Sequence, residues 1–163
     1  PPREIINAPE LQVYVQDFGK REGDICFVAE VEEKIVGAVW VRIMDDYGHV
    51  EDGVPSFAIS LYKEYRGLGI GTAMMKQMLT ELKLRGYQKT SLAVQKENYA
   101  VKMYKNVGFE IVDENEEELV LEVKATDSKS FEREKDYLTC KIGIGCSTAF
   151  ILSFIIIFCR GLF

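Results

Sequence analysis

The residues with the clearest chemical potential are Tyr65-Arg66-Gly67-Leu68-Gly69-Ile70-Gly71-Thr72. Three glycines in five positions let the chain turn sharply and leave its backbone N–H groups uncovered. An apolar-periodic run opens immediately afterwards, which puts those N–H groups at a helix N-terminus, where the helix dipole favours an anion. A phosphate or pyrophosphate is the natural guest. The loop is not a Walker A sequence, because no lysine follows Gly71. It is not a Rossmann turn either, because Thr72 stands where the third glycine belongs and antiparallel strands precede it.

A second feature lies downstream. Asn98 suits the cap of a helix carrying Ala100, Val101, Tyr104 and Val107, which Gly108 ends before Phe109. Arg66-x-x-Gly69-x-Gly71 after a strand resembles the acyl-CoA signature [RQ]-x-x-G-x-[GA] of the GNAT (Gcn5-related) N-acetyltransferase superfamily. The stretch from Asn98 to Phe109 resembles that family's N-x-x-A-x-x-x-Y-x-x-x-G-F segment, with the Asn-to-Ala spacing one residue shorter. The resemblance covers residues 10–124.

The resemblance implies an acetyl-CoA-dependent N-acetyltransferase. Ser60 and Leu61 would end the strand that pairs with the pantetheine arm. Arg66, Gly67, Leu68, Gly69, Ile70, Gly71 and Thr72 would wrap the pyrophosphate, and Asn98 would contact the cofactor arm. Tyr104 would protonate the departing thiolate. The acceptor would be a primary amine of a small molecule or peptide, attacking the thioester directly. A backbone N–H near Leu61 could stabilise the charge that develops on the carbonyl oxygen. A thiol has a pKa of about 8.5 and a tyrosine about 10, so a phenol can give up its proton late in the step. The alternative is a non-catalytic acyl-CoA-binding module, with Tyr104 a plain core residue.

No general base stands out. A lysine ε-amine is neutral about once in 2,500 at pH 7 and calls for a base or a desolvating site, whereas an α-amine needs little help. Glu64, Glu51, Asp52 and His49 are the candidates. The segment 45–53 carries the carboxylates Asp45, Asp46, Glu51 and Asp52, which as a cleft edge would attract a cationic acceptor.

The elements that must position these groups follow from pattern. Leu11, Tyr14, Val15 and Phe18 mark a first helix, closed at Gly23-Asp24. Residues 25–31 and 34–44 form an antiparallel pair turning at Glu33-Lys34, with Trp40 in the core, and residues 56–61 form a third strand. Ile70, Met74, Met75, Met78, Leu79 and Leu82 make one apolar face of a helix over 70–85, ended by Gly86. A strand over 90–95 follows. Asn98 suits the N-cap of the next helix, ended by Gly108. Residues 109–112 and 118–123 pair around an acidic turn at 113–117. The expected fold class is α/β: the GNAT fold, a mixed, mostly antiparallel sheet flanked by helices.

Length and charge bound the rest. A chain of 163 residues with 47% hydrophobic residues is one domain with a core. Its net charge of −6 argues against nucleic acid as a partner. One histidine excludes a His-rich metal site, so no metal is expected. Of the four cysteines, Cys26 stands alone in the main domain, and Cys140, Cys146 and Cys159 fall in the last 25 residues. That is no disulfide framework, and the domain reads as cytoplasmic. The division expected is a domain over 1–124 lacking the family's first strand and helix, a polar linker over 125–138, and an apolar tail over 139–163. Residues 142–159 carry no charge and reach the lower length limit of a membrane span. A membrane anchor, a non-native extension and a helix on the domain are the three readings of that tail. A homodimer stays open.

Overall fold

The structure is a computed structural model and describes residues 12, 14, 16–46 and 48–125. Within them the strands are β1 (Ile25–Val31), β2 (Lys34–Arg42), β3 (Ser56–Leu61), β4 (Lys89–Gln95), β5 (Glu110–Glu114) and β6 (Glu118–Lys124). The helices are α1 (Ile70–Leu84) and α2 (Val101–Val107), with a 3-10 turn at Lys63–Tyr65. The strands form one sheet in the order β1-β2-β3-β4-β6-β5. Every neighbouring pair is antiparallel except β3 and β4, which run parallel across the α1 connection. This is the mixed, mostly antiparallel α/β sheet expected. The beginning of the first helix, the proposed missing elements, the linker and the apolar tail lie outside the described residues. Among the described residues no helix is long and apolar enough to cross a membrane.

The core forms where α1 lies on the sheet. Met74, Met75, Met78, Leu79 and Leu82 are fully buried against Phe27, Val39, Val41 and Phe57. Four of those α1 positions follow the 3.6-residue repeat, and Met75 widens the stripe, as a core-facing helix requires. Flexible methionines fill gaps between strands of unequal length. β2 is buried from Val36 to Arg42, so both of its faces are covered, and Trp40 is in the interior as expected.

The opposite face of β2 is pinned by an ion pair. Arg42 and Asp24, whose side chains are 0% and 1% exposed, meet through Nε–Oδ1 and Nη2–Oδ2 at 2.8 Å each. Arg42 Nη1 also donates to the Gln16 carbonyl (2.9 Å), and its guanidinium lies over the Phe18 ring. Burial alone would raise the Asp24 pKa. The Arg42 and Gly19 hydrogen bonds outweigh it and hold the carboxyl below its ordinary value.

Among the boundaries that differ from the sequence reading, three have a clear local cause. The β1–β2 turn is Glu32-Glu33, both left-handed (φ 50° and 63°), because Lys34 already pairs with Val31. A hairpin tight enough for two turn residues demands that conformation. The acidic run is not all turn. Asp113 and Glu114 belong to β5, where the sheet edge leaves their side chains in water. Asn115 closes the turn by accepting the Glu117 and Glu118 N–H groups at 2.8 Å. Finally, α2 starts at Val101 rather than just after Asn98. The Asn98 Oδ1 accepts the Ala100 N–H (2.9 Å) and its carbonyl accepts the Val101 N–H (3.1 Å). It therefore shapes a turn ahead of the helix.

Candidate active site

The site begins with a defect in the sheet. β3 and β4 share one registered pair, Ser56 with Ser91, and beyond it they diverge. Each is held by its outer neighbour, β3 by β2 and β4 by β6. Backbone groups facing the gap therefore have no strand opposite them, which a folded protein accepts only where a ligand or water can bond. At the narrow end the gap is fixed by Thr90 Oγ1 donating to the Pro55 carbonyl (2.6 Å) and Ser91 Oγ donating to that of Gly48 (2.6 Å).

A cleft of about 510 Å³ opens at the wide end. One wall is Ile59, Ser60 and Leu61 from β3, then Arg66, Gly67, Gly69, Gly71 and Thr72. The other is Ala93, Val94 and Gln95 from β4, then Asn98, Tyr99, Ala100, Met103 and Tyr104. The fold thus brings together nine of the eleven residues singled out from sequence. Leu68 and Ile70 do not line the cleft. The Leu68 side chain points to solvent (67% exposed), and Ile70, the first residue of α1, is buried in the core (5%).

The glycine loop leaves its backbone open at the start of α1. Gly67 and Gly69 have φ of 76° and 82°, and a Cβ at either would meet nothing within 4 Å. Their backbone is thus both left-handed and uncovered. Gly69 caps α1, and the first helical bond runs from the Ala73 N–H to the Gly69 carbonyl (3.0 Å). The N–H groups of Ile70, Gly71 and Thr72 precede it and lack helical acceptors. At Gly71 a Cβ would stand 3.1 Å from Met103 Sδ, a tight contact that the flexible Met103 side chain would have to relieve by shifting.

Tyr104 sits on α2, 6% exposed, with its ring edge-on to Phe109. Burial, and to a lesser degree the neighbouring Tyr99, push its phenol well above the ordinary value, so it keeps its proton at physiological pH. Across the cleft mouth, the Arg66 guanidinium carbon lies 5.2 Å from the centre of the Tyr99 ring, and Arg66 Nε donates to the Leu61 carbonyl (3.1 Å).

The candidate bases are elsewhere. None of Glu64, Glu51, Asp52 and His49 lines the cleft. Glu51 pairs with Lys89 at 3.0 Å, and His49 Nε2 lies 3.7 Å from Asp52. Within the acidic segment Asp46 is turned inward, whereas the Asp52 and Glu51 side chains stay in solvent. The Asp46 carboxylate accepts Ser56 Oγ (2.5 Å) and the Gly48 N–H (3.1 Å), and burial raises its pKa. These bonds fold the segment against the narrow end of the gap. Among the described residues no cluster of three or more His, Cys, Asp or Glu could hold a metal ion.

Sequence reasoning missed Ile59, Ala93, Val94, Gln95, Tyr99 and Met103. Most are ordinary strand residues, visible as site residues only once two strands part. Tyr99 did carry a signal, an aromatic beside Asn98 on no apolar stripe.

Comparisons with known proteins bear on the family and the fold. The sequence model described as Acetyltransferase (GNAT) family matches residues 2–109. Human N-acetyltransferase 8B is 33% identical over 88 residues, which is 53% of this chain and 39% of the human protein. The chain thus spans well under half the length of that relative. An acetyltransferase of Pectobacterium atrosepticum is 32% identical over 109 residues, 66% of this chain and 71% of the bacterial one. The crystal structure of PaiA N-acetyltransferase from Thermoplasma acidophilum, in complex with coenzyme A, superposes with a TM-score of 0.55. It is 18% identical, over 63% of this chain and 61% of that one, a likeness of fold.

Proposed function

Because the chain belongs to the GNAT acetyltransferase family, we propose that it binds acetyl-CoA between β3 and β4 and passes the acetyl group to a primary amine by direct attack. The observation that carries this reading is the coincidence of three features in one cleft. They are the parted parallel strands, the uncovered N–H groups of the glycine loop, and the buried Tyr104.

The donor fits the residues present. Its pyrophosphate would meet the N–H groups of residues 67–72, where a negative charge also meets the positive end of α1. Its extended arm would take the unpaired edge of β3 at Ser60 and Leu61, with Asn98 on the far wall. Acetyl-CoA, when bound, supplies an acyl group already activated as a thioester.

The chain's own residues would do the rest. The parted strands hold the reacting carbonyl among oriented backbone groups, and an N–H near Leu61 would face its oxygen. Tyr104 holds a proton for the departing sulfur. Its raised pKa keeps that proton in place, and it also makes a lasting phenolate costly. Donation is therefore coupled to return of a proton to Tyr104 from the attacking amine, which must lose one as the amide forms, so that the thiol leaves protonated and the phenol is regenerated.

The test is release of free thiol from acetyl-CoA against a panel of small-molecule and peptide amines. Turnover with at least one amine is expected. Binding of CoA with no turnover on any amine would instead support a non-catalytic acyl-CoA-binding module.

A further inference from the structure

Tyr99 presents a large aromatic side chain at 67% exposure on the rim of the cleft. It is not part of the core, and its one described partner is the guanidinium of Arg66 on the opposite wall, 5.2 Å from the ring centre. Arg66 is fixed twice. Its Nε–H is committed to the Leu61 carbonyl, the last residue of β3 (3.1 Å), and the group lies over the Tyr99 ring. Among the described residues its Nη groups bond no protein atom.

An arginine has five N–H donors in a rigid fork, and contact through its face with an aromatic ring leaves the edge donors free. Arg66 lines the same cleft as Gly67 and Gly69, whose left-handed backbone is uncovered. A long exposed side chain ordinarily loses much of its binding energy to the ordering of its rotamers. Two anchors acting before the ligand arrives remove most of that loss.

We propose that Tyr99 is a positioning residue, which holds the Arg66 guanidinium with its free edge ready for a phosphate group of the acyl donor. This rests on the reading of the cleft as the acetyl-CoA site. The pyrophosphate and the 3′-phosphate of CoA share the relevant chemistry.

Affinities of wild type, Tyr99→Ala and Tyr99→Phe are to be measured for CoA, for dephospho-CoA (pyrophosphate only) and for S-acetyl-pantetheine (no pyrophosphate). Tyr99→Ala is expected to weaken CoA about two- to fivefold, the range of an exposed cation–π contact. It should leave S-acetyl-pantetheine unchanged, and Tyr99→Phe should keep wild-type affinities. Equal weakening of dephospho-CoA assigns Arg66 to the pyrophosphate, and no weakening assigns it to the 3′-phosphate. In an Arg66→Ala background the Tyr99→Ala effect should vanish. The Arg66 Nε–H resonance of the ligand-free protein should carry a ring-current shift that Tyr99→Ala removes and Tyr99→Phe retains.

Equal loss of S-acetyl-pantetheine binding, or persistence of the Tyr99→Ala effect without Arg66, would overturn the role. So would unchanged CoA affinity in Tyr99→Ala. Failure of the wild type to bind either CoA form overturns the donor-site reading itself, a different result from wild-type binding that Tyr99 does not affect.

Discussion

A single hydroxyl separates the two functional readings. Tyr104 is buried, with its proton retained by desolvation, and it lines the cleft where the strands part. If it serves as the proton donor, Tyr104→Phe removes one oxygen and no packing contact of the ring. The expected outcome is a fall in kcat of about 10²-fold, the usual range for general acid catalysis, with CoA affinity unchanged. Rates across pH 6–10 check it, and an unaltered kcat would reject the acid role. Tyr104 was legible in the sequence because its distance from Ala100 and from Gly108-Phe109 matched a known pattern. Tyr99 was not legible, because its importance lies in a contact with Arg66, thirty-three positions away, that no local spacing records.

The elements matter through their ends. α1 contributes to the site with its first turn and to the core with the rest, so its N-terminal glycine bears both tasks. Gly69 is left-handed, and its Cβ would meet open space, so Gly69→Ala isolates backbone strain from crowding. An L-residue held there costs about 1–2 kcal/mol. We expect a loss of stability of that size in urea unfolding. CoA binding should weaken as well, if the loop relaxes toward an unstrained turn. Element existence was readable from periodicity in every strand and helix described. Boundaries were less so where a side chain competes with the backbone. Asn98 and Asn115 each accept a backbone N–H and so redraw the start of α2 and the end of β5. The parting of β3 and β4 was not readable from their residues, since both are ordinary apolar strands.

At the scale of the molecule, one buried ion pair ties the segment before β1 to the face of β2 that α1 does not cover. Removing one partner leaves a buried, uncompensated charge, and Asp24→Ala is expected to cost about 3–5 kcal/mol at pH 7. The pH dependence has a definite sign. Asp24 has a folded pKa below its unfolded value, so its contribution is present above about pH 4 and is lost as pH falls through the folded value. Urea unfolding at pH 7 and pH 3 checks this, since the gap between wild type and variant should narrow in acid. The sequence by itself determined the family, the order of the elements and the position of the glycine loop ahead of α1, because each rests on local patterns of glycine, apolar period and motif spacing. Only the tertiary structure decided which residues face the cleft, which acidic groups are spent on folding the 45–53 segment, and that Arg66 meets Tyr99. Those facts depend on where two strands stop pairing and on contacts between residues far apart in the chain, and neither leaves a mark on neighbouring positions.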